Sequence, residues 1–267
     1  MHIARRRAAR QFGSVALAAV LSVAGVAVPA VVAAASLPVY EPTRAPRAFG
    51  DLPVVFEANA GQAPPSVAFV ARAAGYRAMI GPAATVIALS HSKAPSVNLL
   101  TPGAGSVSVC ARVTLRLDGA SSSARMTALE PLEGKANYLV GNDPARWRTG
   151  VPTFGRVRAH DVYPGIDAVY YGNAGQIECD YIVAPGADPG HIALGIDGAA
   201  ATCVEPLGDL RISTPAGDLT LRKPIAYQNV GGERTLVVAS YNIEGGFVRF
   251  ALGSYDHSLP LVIDPVL

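Results

Sequence analysis

Most of the sequence signatures of catalysis are missing here. The five histidines include no H-E-x-x-H and no H-x-H pattern, and no G-x-S-x-G elbow, no Walker-type glycine loop ending in lysine and no G-x-G-x-x-G occurs. Zinc-protease, hydrolase-elbow, P-loop and dinucleotide chemistry therefore lack their usual carriers. Cysteine is scarce as well. Cys110, Cys179 and Cys203 are the three present, and without a C-x-x-C spacing they argue against structural zinc and thioredoxin-like exchange. In an oxidising compartment they allow either one disulfide, by any of three pairings, with one leftover thiol, or three unpaired thiols. Helix signals are few, no period of repetition recurs, and low complexity is confined to Ser121–Ser123.

A second long apolar run is also absent, which directs attention to the first. Arg5, Arg6, Arg7 and Arg10 precede an almost wholly apolar stretch from Phe12 to Val28, and Ala33-Ala34-Ala35 stands before Ser36. A basic start, an apolar middle and a small-residue cleavage site are the three parts of a secretory signal, expected here over residues 1–35. The apolar core is near the ~17-residue lower limit for a spanning helix, so a retained anchor is the alternative. The chain has 22 Lys and Arg against 20 Asp and Glu, but with the four signal arginines set aside 18 face 20, a net charge of about −2. The basic character belongs to the leader, and nucleic acid is not an expected partner. After cleavage no membrane span is expected, and the product is expected to be secreted or extracytoplasmic, in association with the cell surface.

What the chain does have is strand and turn signals. Residues 36–52, SLPVYEPTRAPRAFGDL, contain three prolines and little periodicity, which predicts an extended lead-in. From residue 53 to 267, short β-branched and aromatic runs alternate with Gly and Pro: VVFEA, SVAFVAR, GYRAMI, TVIAL and VSVCARVTLRL. This spacing predicts an all-β fold, a large antiparallel β-sandwich of consecutive hairpins. HSKAPSVNLLTPGAGS, near 91–106, reads as a loop or sub-domain joint. LRISTPAGDLTL turns at Pro215–Gly217, and AYQNVGGERTLVV and SYNIEGGFVRFAL each place Gly-Gly between strand-like runs. Asp143-Pro144 and Asp188-Pro189 each predict a single helical turn, with Asn142 an alternative cap for the first.

The segment GIDAVYYGNAGQIECDYIV bears the most suggestive side chains. Counting either Asn173-Ala174 or all of GNAG as the loop sets Tyr171 opposite Gln176 and Asp167 opposite Asp180. One face is then Ile166, Ala168, Tyr170, Ile177, Cys179 and Tyr181, a core face. The other carries Asp167, Val169, Tyr171, Gln176, Glu178 and Asp180, expected to be wet or a site. Facing carboxylates have Cβ atoms ~4.5–5.5 Å apart and need relief. Arg156 and Arg158 in TFGRVRAHD offer it as a salt-bridged surface. The same spacing also suits a hard cation such as calcium held by Asp167, Glu178 and Asp180, or the two carboxyls of a retaining glycosidase. A one-residue bulge would dissolve the last two. Tyr163, Tyr170, Tyr171, Tyr181 and Trp147 are either core aromatics or a sugar-stacking face.

FEANAGQ (56–62), GYRAMI, NYLVGNDPARWRTGVPTFGRVRAHDVYPGIDAVYYGN (137–173), CDYIVAPGADP (179–189) and PLVIDPVL (260–267) together resemble the N-terminal domain of bacterial surface proteins with SBBP-type β-propeller repeats. The resemblance spans nearly all of the chain after the leader and implies an architecture and a cell-surface address more than a reaction. It departs at Cys179, where similar proteins often have an aromatic. The expectation is an exported, non-catalytic surface or interaction module, not an enzyme, with a protein or glycan partner at the cell surface. The alternative is a carbohydrate-binding or carbohydrate-active domain using the acidic hairpin face.

Overall fold

The computed structural model describes residues 54–73, 75–93 and 107–265. The early runs form β1 (Phe56–Ala58), β2 (Phe69–Ala73), β3 (Tyr76–Ile80), β4 (Ala84–Lys93) and β5 (Val107–Leu117). β6 (Met126–Tyr138), β7 (Arg148–Tyr163), β8 (Ile166–Asn173) and β9 (Gln176–Val183) follow. Next come β10 (Leu194–Asp197), β11 (Ala201–Val204), β12 (Leu210–Ser213) and β13 (Leu219–Leu221). The chain closes with β14 (Ile225–Val230), β15 (Glu233–Val237), β16 (Ala239–Glu244), β17 (Phe247–Leu252) and β18 (Leu261–Asp264). The fold is all-β. The helical signals resolve to two single 3-10 turns, Pro144–Arg146 and Pro189–His191, capped by the side chains of Asp143 and Asp188.

Fifteen of these strands share one antiparallel sheet, in the order β15-β14-β18-β9-β8-β7-β1-β2-β3-β4-β5-β10-β17-β16, with β6 on β7. Its two terminal strands, β15 and β16, are separated in sequence by Val238 alone. The sheet therefore folds over until its ends meet at one residue. Contacts across the interior show the two halves facing each other. Tyr170 of β8 is 3.4 Å from the Thr85 hydroxyl of β4, and the Tyr76 hydroxyl of β3 accepts from the Ile177 amide of β9 at 3.0 Å. Tyr181 of β9 packs on Phe250 of β17, centroids 5.7 Å apart. β11, β12 and β13 form a small sheet whose Leu210, Ile212, Leu219 and Leu221 enter the same core.

Period-2 alternation sorts the side chains into two faces, one of which meets the interior between the halves, while in β8 and β9 the other is buried too. Ile166, Ala168, Tyr170, Ile177, Tyr181 and Val183 are all buried in one continuous cluster with Phe56, Ile80, Ile87 and Val113. Gly172 lies where a Cβ would come 2.6 Å from Cβ of Val54, so glycine is what lets the segment before β1 lie against the end of β8. A cavity of about 60 Å³ remains between the halves, lined by Ala78, Thr85, Ile87, Tyr170, Cys179 and Tyr181 among others. Burial pushes the Tyr170, Cys179 and Tyr181 protons well up, so all three are neutral. The three thiols are unpaired.

β6 went unread in the sequence. MTALEPLEGKANY contains Pro131 and Gly134 and has no buried residue, so it lacks the oily alternation of the other strands. It is recruited by the 16-residue β7, whose register with it slips between Leu132 and Lys135. β4 and β5 pair out to Lys93↔Val107, and most of the segment expected to be a loop or joint, 94–106, lies outside the described residues. So do the expected signal, 1–35, and the lead-in, 36–52. Among the described residues no helix is long and apolar enough to cross a membrane.

Candidate functional site

The β8–β9 hairpin turns at Ala174-Gly175, both with positive φ (47° and 77°), and pairs Asn173 with Gln176. This corrects the expected register by two residues. Tyr171 stands opposite Glu178, Val169 opposite Asp180, and Asp167 opposite Ile182. A shift of two preserves which side chains share a face but changes every partner. The expected facing pair, Asp167 with Asp180, does not exist. The expected wetness of that face is also overturned: Asp167, Glu178 and Asp180 are buried, Asp180 completely.

Each carboxylate has its own partner. Asp167 takes Nε of Arg158 at 2.6 Å, with a second contact to the other guanidinium nitrogen, and accepts the Asp161 amide at 2.7 Å. Asp161 is held at φ 48°, inside the irregular stretch where β7 and β8 lose register between Ala159 and Tyr163. Asp167 thus stabilises a bulge, both by charge and by satisfying an amide that the ladder does not pair. His160 lies 4.0 Å away; its pKa is lowered by burial, against the pull of Asp167, and its Nε2 is 3.0 Å from the Thr127 hydroxyl. Asp180 accepts from the Tyr171 hydroxyl at 3.0 Å, and Glu178 from the Asn173 amide at 2.9 Å. The Arg156 guanidinium lies 5.6 Å from the Tyr171 ring centre, and one of its nitrogens 3.5 Å from Glu130.

Asp264 of β18 joins this acidic group, and nothing in PLVIDPVL singled it out. Its pKa is pushed up to about 6, first by burial and then by the charge of Glu178; hydrogen bonding with Asp180 and the charge of Arg234 pull the other way. Arg234 itself lies over the Tyr227 ring at 4.4 Å. A second buried acid was also missed. Glu57 of β1 accepts from the Tyr138 hydroxyl and pairs with Nε of Arg72 at 3.5 Å, tying β1, β2 and β6 together. A lone acid in the apolar run VVFEA was its only sequence signal.

Chemically, Asp167, Glu178 and Asp180 each engage a different neighbour: a guanidinium, a side-chain amide and a phenol. Among the described residues no three His, Cys, Asp or Glu side chains are placed to hold a metal ion, and Asp167, Glu178 and Asp180 go to separate partners. Tyr163, Tyr170, Tyr171 and Tyr181 are each about 95% buried, so they pack instead of forming a stacking face. Trp147 donates to the Gly141 carbonyl at 3.1 Å beside the first 3-10 turn.

No curated protein and no solved structure matches the chain. One family model does, over residues 56–266, a span that runs from the first residue of β1 past the end of β18. The chain belongs to the family described as Domain of unknown function (DUF7948).

Proposed function

We propose that the chain is exported and acts as a non-catalytic interaction module at the cell surface, as its resemblance to the N-terminal domains of SBBP-type repeat proteins implies. The observation that carries this reading is the separate structural employment of Asp167, Glu178 and Asp180. Acids that already hold Arg158, Asn173 and Tyr171 are not poised as a catalytic pair. The tripartite composition of residues 1–35 supports export.

Two measurements test it. Intact mass of the protein recovered from the medium or envelope is expected to show loss of the leader near Ala35. The purified chain is expected to be retained by the producing cell's envelope while turning over none of a panel of glycosidic and peptide substrates. Turnover that disappears in Asp180→Asn would replace this reading with a catalytic one, and a full-length mass confined to the cytoplasm would remove export.

A further inference from the structure

A row of cationic side chains lies away from the acidic face. In the register of β2 through β5, Arg72 stands opposite Arg77, Arg77 opposite Ala88, and Ala88 opposite Arg112. Side chains in one such row share a face of the sheet. Three arginines thus lie in a line across four strands, with a methyl group in the third place. Neighbouring strands are ~4.8 Å apart, so Arg72 and Arg77 adjoin while Arg112 stands ~10 Å beyond Arg77. The row borders an open hollow of about 540 Å³, inside the ~300–1,000 Å³ range of small-molecule sites.

Like charges placed opposite one another destabilise a sheet unless something relieves them. Arg72 is relieved by Glu57. Arg77 and Arg112 have no ion-pair partner among the described residues, and Nε of Arg77 is buried without a hydrogen-bond partner. A buried guanidinium N–H left unmade costs more than most exposed ones, because its desolvation is uncompensated. Ala88 within the row and Gly75 at the β2–β3 turn leave the space beside these groups unfilled. Row, charge, volume and orphaned donor all favour the same occupant.

We propose that this hollow binds a ligand presenting carboxylate, sulfate or phosphate oxygens, with one anionic group at Arg72 and Arg77 and a second at Arg112. Planar guanidinium forks match such oxygens two at a time, which lysines in these places would not. The proposal rests on the reading of the chain as an interaction module and adds the chemistry of what it holds.

Cys110 gives a direct readout, since its thiol is exposed and borders the hollow. Iodoacetamide labelling of Cys110 in the purified chain is measured with oligogalacturonate, inorganic phosphate, inorganic sulfate or neutral malto-oligosaccharide, alongside calorimetric titration of each. An anionic probe is expected to slow labelling several-fold, the neutral sugar to leave it unchanged, and Arg112→Gln to weaken binding at least tenfold. Arg77→Gln gives the same result if it folds, and the exposed Arg112 carries the test if it does not. Protection by oligogalacturonate alone identifies a glycan source, and equal protection by inorganic phosphate or sulfate a free anion. Protection by none of the anions, or binding unaltered in Arg112→Gln, overturns the proposal. Should Arg112→Gln bind no anion yet stay on the envelope as the wild type does, the hollow is not the docking site, while the module reading stands.

Discussion

Asp167 illustrates how one residue's environment reverses an expectation. Opposed to another acid, it would be a repulsive element, and Asp167→Asn would be neutral or stabilising. Paired instead with Arg158 and the Asp161 amide, it holds a left-handed residue in a bulge. Asparagine keeps an acceptor for the amide but loses the charge on Arg158. The expected cost is roughly 1.5–3 kcal/mol, the range for a hydrogen bond to a charged group, read as a lower urea midpoint with an unchanged slope. A midpoint equal to the wild type's would mean that the pair contributes nothing in solution. Asp264 makes the opposite kind of contribution. With its folded pKa near 6 and its ordinary value at 3.8, the folded state binds its proton more tightly than the unfolded chain does. Stability from this group is therefore present in full below about pH 4 and is lost as pH rises through about 6. His160, whose pKa is lowered, opposes it: its contribution is present above its ordinary value of 6.5 and is lost on acidification. Subtracting the melting profile of Asp264→Asn from that of the wild type isolates the aspartate. The difference should change between pH 4 and 6 and be flat above pH 7, and a flat difference throughout would show that Asp264 titrates normally.

At the scale of strands and hairpins, legibility followed turn chemistry. Gly231-Gly232 and Gly245-Gly246 lie in the two-residue loops read for them, with Val230↔Glu233 and Glu244↔Phe247 as the closing pairs. Such loops need positive φ at both central positions, and Gly-Gly announces that. The β8–β9 loop hides it, because an alanine occupies the first left-handed position and Asn173 precedes it. The eye takes Asn173-Ala174, or all four residues, and the register slips by two. Faces survived the slip because strand periodicity is two; partners did not. Burial of the acidic face was illegible for another reason. Asp264 reaches it from β18, which lies next to β9 in the sheet but far away along the chain. β6 was missed because Pro131, Gly134 and exposed charges erase its pattern. The arginine row was missed as well: Arg72 and Arg77 flank the β2–β3 turn in VARAAGYRAM, but only the pairing of β4 with β5 brings Arg112 into line with them. The left-handed Ala174 also makes a prediction. An L-residue with a Cβ is strained at this φ, whereas asparagine tolerates it and asparagine-glycine suits the turn. Ala174→Asn should stabilise by about 0.5–1 kcal/mol, raising the melting temperature by ~1–4 °C. A fall would indicate that the loop adopts another turn in solution.

On the scale of the whole molecule, folding one sheet onto itself creates two edges that meet at Val238 without pairing with each other. Among the described residues β15 pairs only with β14, so its other side is a sheet edge. Leu236 on that strand is 75% exposed and Val238 at the corner 77%. Edges of this kind recruit further strands unless charge, proline or a bulge blunts them. Glu233 and Arg234 supply charge at one end of β15, but its last residues, Leu236 and Val237, have none. Leu236 faces Tyr227 across the ladder and contributes little buried area of its own, so replacing it should leave the core untouched. Leu236→Lys is therefore expected to raise the concentration at which light scattering detects self-association, while the unfolding free energy from urea titration changes by no more than about 0.5 kcal/mol. Unchanged scattering would mean that this edge is already covered in solution. A larger loss of stability would mean that Leu236 packs more deeply than its exposure indicates. A clean separation of the two readouts would locate self-association at the seam where the sheet's ends meet.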